Sequence, residues 1–99
     1  MKTVWFIDDE LELLEILEGM MEIITEEKNL NLNFKFVSQW LEANPVKGDL
    51  VIHDLMGIGK KVFVDGVEYL SCSGSLEKES DLPKPYDFKK IEDVLIAFQ

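Results

Sequence analysis

Groups able to do chemistry stand at the ends of this chain's apolar runs. Asp8-Asp9 follow Val4-Trp5-Phe6-Ile7, and Asp54 follows Leu50-Val51-Ile52-His53. Ser71 and Ser73 come after Val67-Glu68-Tyr69-Leu70, and Lys84 lies between prolines in Leu82-Pro83-Lys84-Pro85. Brought to one place, three carboxylates repel one another, by roughly 3 kcal/mol for a pair about 5 Å apart at an effective dielectric near 20. Lys84 offers one compensating charge, and a divalent cation would supply the rest. Ligation by oxygen alone, with room for water, suits Mg²⁺ or Mn²⁺. A carboxylate held by such a metal can act as a nucleophile toward phosphorus. The metal, a hydroxyl and the ammonium would then stabilise charge on the transferring oxygens.

These groups can meet only if the elements before them run the same way. Val4–Ile7 is short, apolar and rich in β-branched and aromatic residues, as a strand buried on both faces requires. A helix is predicted from about Glu10 to Glu27. Leu11, Leu14, Leu17, Met21 and Ile24 share one of its faces, and Glu12, Glu15, Glu18, Glu22 and Glu26 form a solvated one. Asp8 or Asp9 can cap it. Phe34–Val37 reads as a second strand, followed by a short helix over Gln39–Ala43 that Ser38 can cap. Leu50–Asp54 reads as a third strand. Lys61–Val64 and Val67–Leu70, with Asp65-Gly66 between them, read as a hairpin. The Leu82–Pro85 stretch is extended, because each residue before a proline is pushed away from the helical region. Asp87 caps a last helix with Ile91, Val94, Leu95 and Phe98 on its apolar face. Alternation of strand and helix implies parallel strands joined by crossovers, whose carboxyl ends share one edge where ligands bind.

Composition narrows the functions. Ninety-nine residues, 46% of them hydrophobic, make one domain, residues 1–99, with one core. Twenty acids against ten bases, all lysine, leave a net charge of −10. That argues against nucleic acid and against anionic membranes as partners. No apolar run approaches the roughly 20 residues that span a bilayer, and the start of the chain does not read as a signal peptide. A cytoplasmic location is therefore expected. The single cysteine, Cys72, excludes an intramolecular disulfide and a cysteine-based zinc site.

Taken in order, four pieces resemble the receiver domain of two-component response regulators. Val4-Trp5-Phe6-Ile7-Asp8-Asp9-Glu10 is similar to the family's first strand with its acidic pair. Leu50-Val51-Ile52-His53-Asp54-Leu55-Met56 is similar to the third strand with its phosphoacceptor. Leu70 to Gly74 is similar to the fourth strand, ending in a hydroxyl and a small residue, and Lys84-Pro85 to the family's Lys-Pro pair. The resemblance implies an α/β, flavodoxin-like, three-layer fold with a parallel sheet in the order 2-1-3-4-5. It implies that Asp8 and Asp9 hold Mg²⁺, directly or through water, together with Asp54 and the main-chain carbonyl of Met56. It makes Asp54 the phosphoacceptor, and Lys84 the partner of the phosphoryl oxygens. Ser73, followed by Gly74, matches the family hydroxyl better than Ser71, which is the alternative. A histidine kinase or histidine phosphotransfer protein would be the donor, and the chain would be a signalling domain rather than an enzyme.

Departures from the pattern are equally specific. Too few residues separate Asp54 from Ser73, and Ser73 from Lys84, for a full helix in each interval. The third and fourth helices are expected to be missing, with the Asp-Gly hairpin replacing the third. Asp81 stands where the family places an aromatic switch residue three positions before the lysine. A non-phosphorylated interaction module is the rival reading. A haloacid-dehalogenase-type phosphatase is a weaker one, because the chain lacks the length for a lid. Plainer roles also fit single residues: a packed strand position for His53, core for Trp5 and Trp40, a buried small residue for Cys72. Trp5, three residues before Asp8, is expected to report metal binding by its fluorescence. With only the Trp40–Leu41 helix to cover the second face of the sheet, that face is expected to be bare. Val62, Val64, Val67 and Tyr69 of the hairpin could fold over that face or extend the sheet edge; pairing of two copies, or with another protein, through that face or the 61–70 hairpin is the expectation.

Overall fold

A computed structural model describes residues 2–39, 42–54, 64–73, 82–83 and 87–99; for Asp54, Cys72, Ser73, Leu82 and Pro83 it describes the backbone. In chain order the elements are β1 (Lys2–Ile7), α1 (Leu11–Lys28), β2 (Leu32–Val37), β3 (Leu50–Asp54), β4 (Glu68–Ser73), β5 (Leu82–Pro83) and α2 (Phe88–Phe98). The five strands are all parallel and lie in the order β2-β1-β3-β4-β5. This is the expected flavodoxin-like sheet, with β1 and β3 at its centre where the sequence is most apolar.

Alternation along β1 divides the core in two. Val4 and Phe6 face α1 and α2, joining Leu14, Leu17, Met21 and Ile24 of the first helix and Ile91 and Leu95 of the second. Phe6 also stacks with Phe36 at 5.4 Å and 6°. Leu11, expected on the same face of α1, is 65% exposed. It is the first residue of the helix, so no preceding turn helps to cover it. Asn29 ends α1 in the left-handed conformation, at φ 51°, and its N–H returns to the Thr25 carbonyl. Asp87 caps α2 as anticipated, accepting from the Lys89 and Lys90 amides.

Trp5, Ile7 and Val51 form a smaller core on the opposite face, with Val37, Ala43, Val67 and Tyr69 packed against it. Trp5, Ile7, Val51 and His53 are all buried within the single chain. The middle of the face expected to be bare is therefore covered within the chain, Val67 and Tyr69 taking the part foreseen for the hairpin. Over Gln39–Ala43, where a short helix is expected, the described residues show a 3₁₀ position at Glu42, whose N–H returns to the Gln39 carbonyl, with Ser38 Oγ donating to the Glu42 carboxylate at 2.8 Å. Trp40 and Leu41 lie outside the described residues.

The Asp-Gly signal does make a turn, and the Val67 N–H returns to the Val64 carbonyl. Of the two central residues of this turn only Gly66, at φ 85°, has positive φ, which is the type II pattern rather than the type I′ one. A side chain at Gly66 would also run into that of Lys47. Downstream, the turn enters β4, which runs parallel to β3 in the register Leu50–Glu68 to Asp54–Cys72. The second arm of the expected hairpin is thus a sheet strand. Its first arm, residues 61–63, and the intervals of the family's third and fourth helices lie outside the described residues.

Candidate functional site

Parallel strands put their carboxyl ends on one edge. The β1–β3 register ends with Ile7 beside His53, so one further step sets Asp8 beside Asp54. Asp54 pairs with Cys72, and Ser73, one residue beyond, pairs with Pro83. Ser73 thus stands at the edge, whereas Ser71 lies one step inward from Cys72, opposite His53, and is buried. Lys84, the residue after β5, and Met56 lie outside the described residues.

Asp8 is completely buried. Its amide donates to the Val37 carbonyl at 3.2 Å, which extends the β1–β2 ladder by one residue. Its Oδ1 accepts the Glu10 N–H at 2.9 Å. The acid therefore braces the bend from strand to helix. Glu10, not Asp8 or Asp9, occupies the N-cap position, and its carbonyl accepts the Leu13 and Leu14 amides. Asp9 and Glu10 are exposed.

Carboxylate oxygens of Asp8, Asp9 and Glu10 all lie within 4.8 Å of one another. At that spacing each pair repels by roughly 3 kcal/mol at an effective dielectric near 20. The amino end of α1, where peptide dipoles leave positive potential, offsets part of this. The remainder favours a cation, and a set of carboxylate oxygens, two of the three residues exposed, fits Mg²⁺ or Mn²⁺. Glu10 is the member of the cluster that the residue reading did not name as a ligand. Its signal was its place in the turn directly after the acidic pair.

A second buried acid, Asp49, was also missed. It precedes β3 at the opposite, amino edge, where its Oδ2 accepts from the Trp5 indole at 3.0 Å and from the Val46 amide at 2.9 Å. A buried indole N–H needs an acceptor, and that requirement of Trp5 was the available clue. Trp5 also lies under the Lys35 ammonium at 5.3 Å. Its indole is thus directed to the edge away from Asp8, which makes it a poor reporter of events at the acidic cluster.

No family model matches the sequence, and no match is found among curated proteins. Among solved structures, the chain is similar to the signal receiver domain of a DNA-binding response regulator protein from Colwellia psychrerythraea 34H. The TM-score is 0.73 over 98% of this chain and 97% of that one, with 16% sequence identity. Strand order, helix placement and this likeness agree: the chain has the fold of a response-regulator receiver domain.

Proposed function

We propose that this chain is a phosphoacceptor receiver of a two-component phosphorelay. Asp54 takes a phosphoryl group from a histidine kinase or a histidine phosphotransfer protein, and the change in charge alters binding to a partner. The observation that carries the reading is the acidic cluster at the end of β1, set by the register beside Asp54 at the end of β3. Asp8 and Asp9, with Glu10 in reach, would hold Mg²⁺ or Mn²⁺ together with Asp54 and the Met56 carbonyl. The ion supplies positive charge that lets an anionic phosphoryl group approach anionic Asp54. The Asp54 carboxylate attacks phosphorus and the bond to the donor nitrogen breaks. Ser73 and Lys84 would bind the phosphoryl oxygens.

Other parts of the reading rest on charge and hydropathy. Among the described residues no helix is long and apolar enough to cross a membrane. The net charge of −10 opposes binding to nucleic acid. The chain acts as a signalling domain in the cytoplasm, its only chemistry being its own phosphorylation and dephosphorylation.

Incubation with acetyl phosphate and Mg²⁺, followed by intact mass, tests the assignment. One phosphoryl adduct is expected, absent from Asp54→Ala and weakened in Lys84→Ala. An adduct that survives Asp54→Ala would move the acceptor elsewhere. No adduct under any donor would leave a receiver fold used as an interaction module.

A further inference from the structure

A groove of about 560 Å³ lies between the second half of α1 and β2, away from the acidic cluster. Met21, Phe34 and Phe36 are among its apolar lining, and Glu18, Glu22 and Glu26 form one wall. These three glutamates are exposed and four residues apart, so they make a ridge with a spacing of about 6 Å along the helix. β2 is the end strand of the sheet, with β1 on one side and, among the described residues, no strand on the other. Edge strands are commonly guarded by lysine. Here Lys35 sits over the Trp5 ring on the far face, which leaves the α1 side of the edge to the groove.

We propose that this groove takes an extended, basic segment of a partner protein, which adds to the sheet beside β2. Alternate residues of a strand are about 6.7 Å apart on one face, close to the spacing of the glutamate ridge. Lysine or arginine at every second position would therefore meet Glu18, Glu22 and Glu26 in turn, with the stems lying over Phe34 and Phe36. The backbone of the segment would pair with the open edge of β2. A second copy of the chain is a poor occupant, because it would bring another glutamate ridge and another net charge of −10. The proposal does not depend on phosphorylation and is tested on the unphosphorylated protein.

The test uses three labelled peptides with the full chain, read by fluorescence anisotropy and by amide chemical shifts. One alternates lysine with valine. A second has the same composition in two blocks. A third is the alternating peptide with every other amide N-methylated, which keeps the charge and removes strand pairing. The alternating peptide is expected to bind at least about tenfold more tightly than the other two, with the largest amide shifts at Phe34 and Phe36, since Asn33, Lys35 and Val37 turn their backbone groups to β1. Glu22→Lys, an exposed substitution whose folding the amide spectrum confirms, is expected to weaken it by about fivefold. Equal binding of all three peptides would reduce the effect to general attraction for a polyanion and overturn the proposal. Shifts centred on Asp8 to Glu10, or binding as a helix by circular dichroism, would overturn it as well.

Discussion

The two edges of the sheet treat buried acid in opposite ways. At the amino edge Asp49 stands alone and receives two N–H groups, from Trp5 and Val46, on one oxygen. At the carboxyl edge Asp8 is buried with two further carboxylates within 4.8 Å. The first arrangement satisfies one carboxylate oxygen with protein N–H groups and knits β1 to the start of β3. The second concentrates negative charge at a strand-to-helix turn beside the end of β3. Burial alone does not distinguish the two environments. Asp8 too accepts an N–H, from Glu10, and what distinguishes it is the pair of further carboxylates beside it.

The largest effect is expected from Asp49→Ala, which leaves the Trp5 indole and the Val46 amide without their acceptor. It should lower stability by about 3 kcal/mol in urea unfolding, and shift the Trp5 emission. A loss below about 1 kcal/mol would mean that Asp49 is not the structural acid described here. At the other edge, Mg²⁺ at 100 times its dissociation constant should add about 2.7 kcal/mol to the unfolding free energy, and Asp9→Ala should abolish that gain. Unchanged thermal stability in millimolar Mg²⁺ would erase the contrast between the edges. Without metal, Asp9→Asn should raise stability by up to about 1 kcal/mol, because it removes one like charge from an exposed position. The gain should shrink as salt is added. A loss of stability would show that Asp9 is held by the protein rather than crowded by it.

The smallest effect concerns a polar atom that has neither kind of environment. Thr25 Oγ1, on α1, is buried and has no hydrogen-bond partner among the described residues. Thr25→Val keeps the shape and removes the unpaired hydroxyl. It should be neutral or stabilise by about 0.5 kcal/mol in thermal unfolding, in contrast to Asp49→Ala.

Features governed by local residues were legible in the sequence. The β3 boundaries, the Asp87 cap and the buried stripe of α1 from Leu14 to Ile24 follow from strand-forming runs, cap chemistry and helical spacing. The strand order came from a resemblance carried by four short motifs. Features that depend on contacts distant in sequence were not legible. The role of Asp49 rests on Trp5, 44 residues earlier. The Asp-Gly turn, by contrast, was legible from its two residues, and the strand after it, read as the fourth, lies parallel to β3. The second face looked bare because helices were counted; of the hairpin residues named as able to fold over it, Val67 and Tyr69 do pack against its core. Of the acidic cluster, Asp8 and Asp9 were singled out by type and position. Glu10 joins them through the shape of the turn, which composition does not reveal.

The Lys2 ammonium donates to the Phe98 carbonyl at 2.7 Å and lies 4.8 Å from the Phe98 ring centre, across 96 positions of the chain. Nearby, the Asn31 amide donates to the Gln99 side chain. The strand made first at the ribosome is therefore finished by the helix made last among these elements. Until Ile91 and Leu95 arrive, Val4 and Phe6 lack part of their cover, so a nascent β1–α1–β2 unit exposes apolar surface throughout its synthesis. Native contacts of such long sequence separation slow folding. Completion of the domain should depend on α2 docking, and truncation before Ile91 should yield aggregation-prone chains rather than a smaller version of the fold.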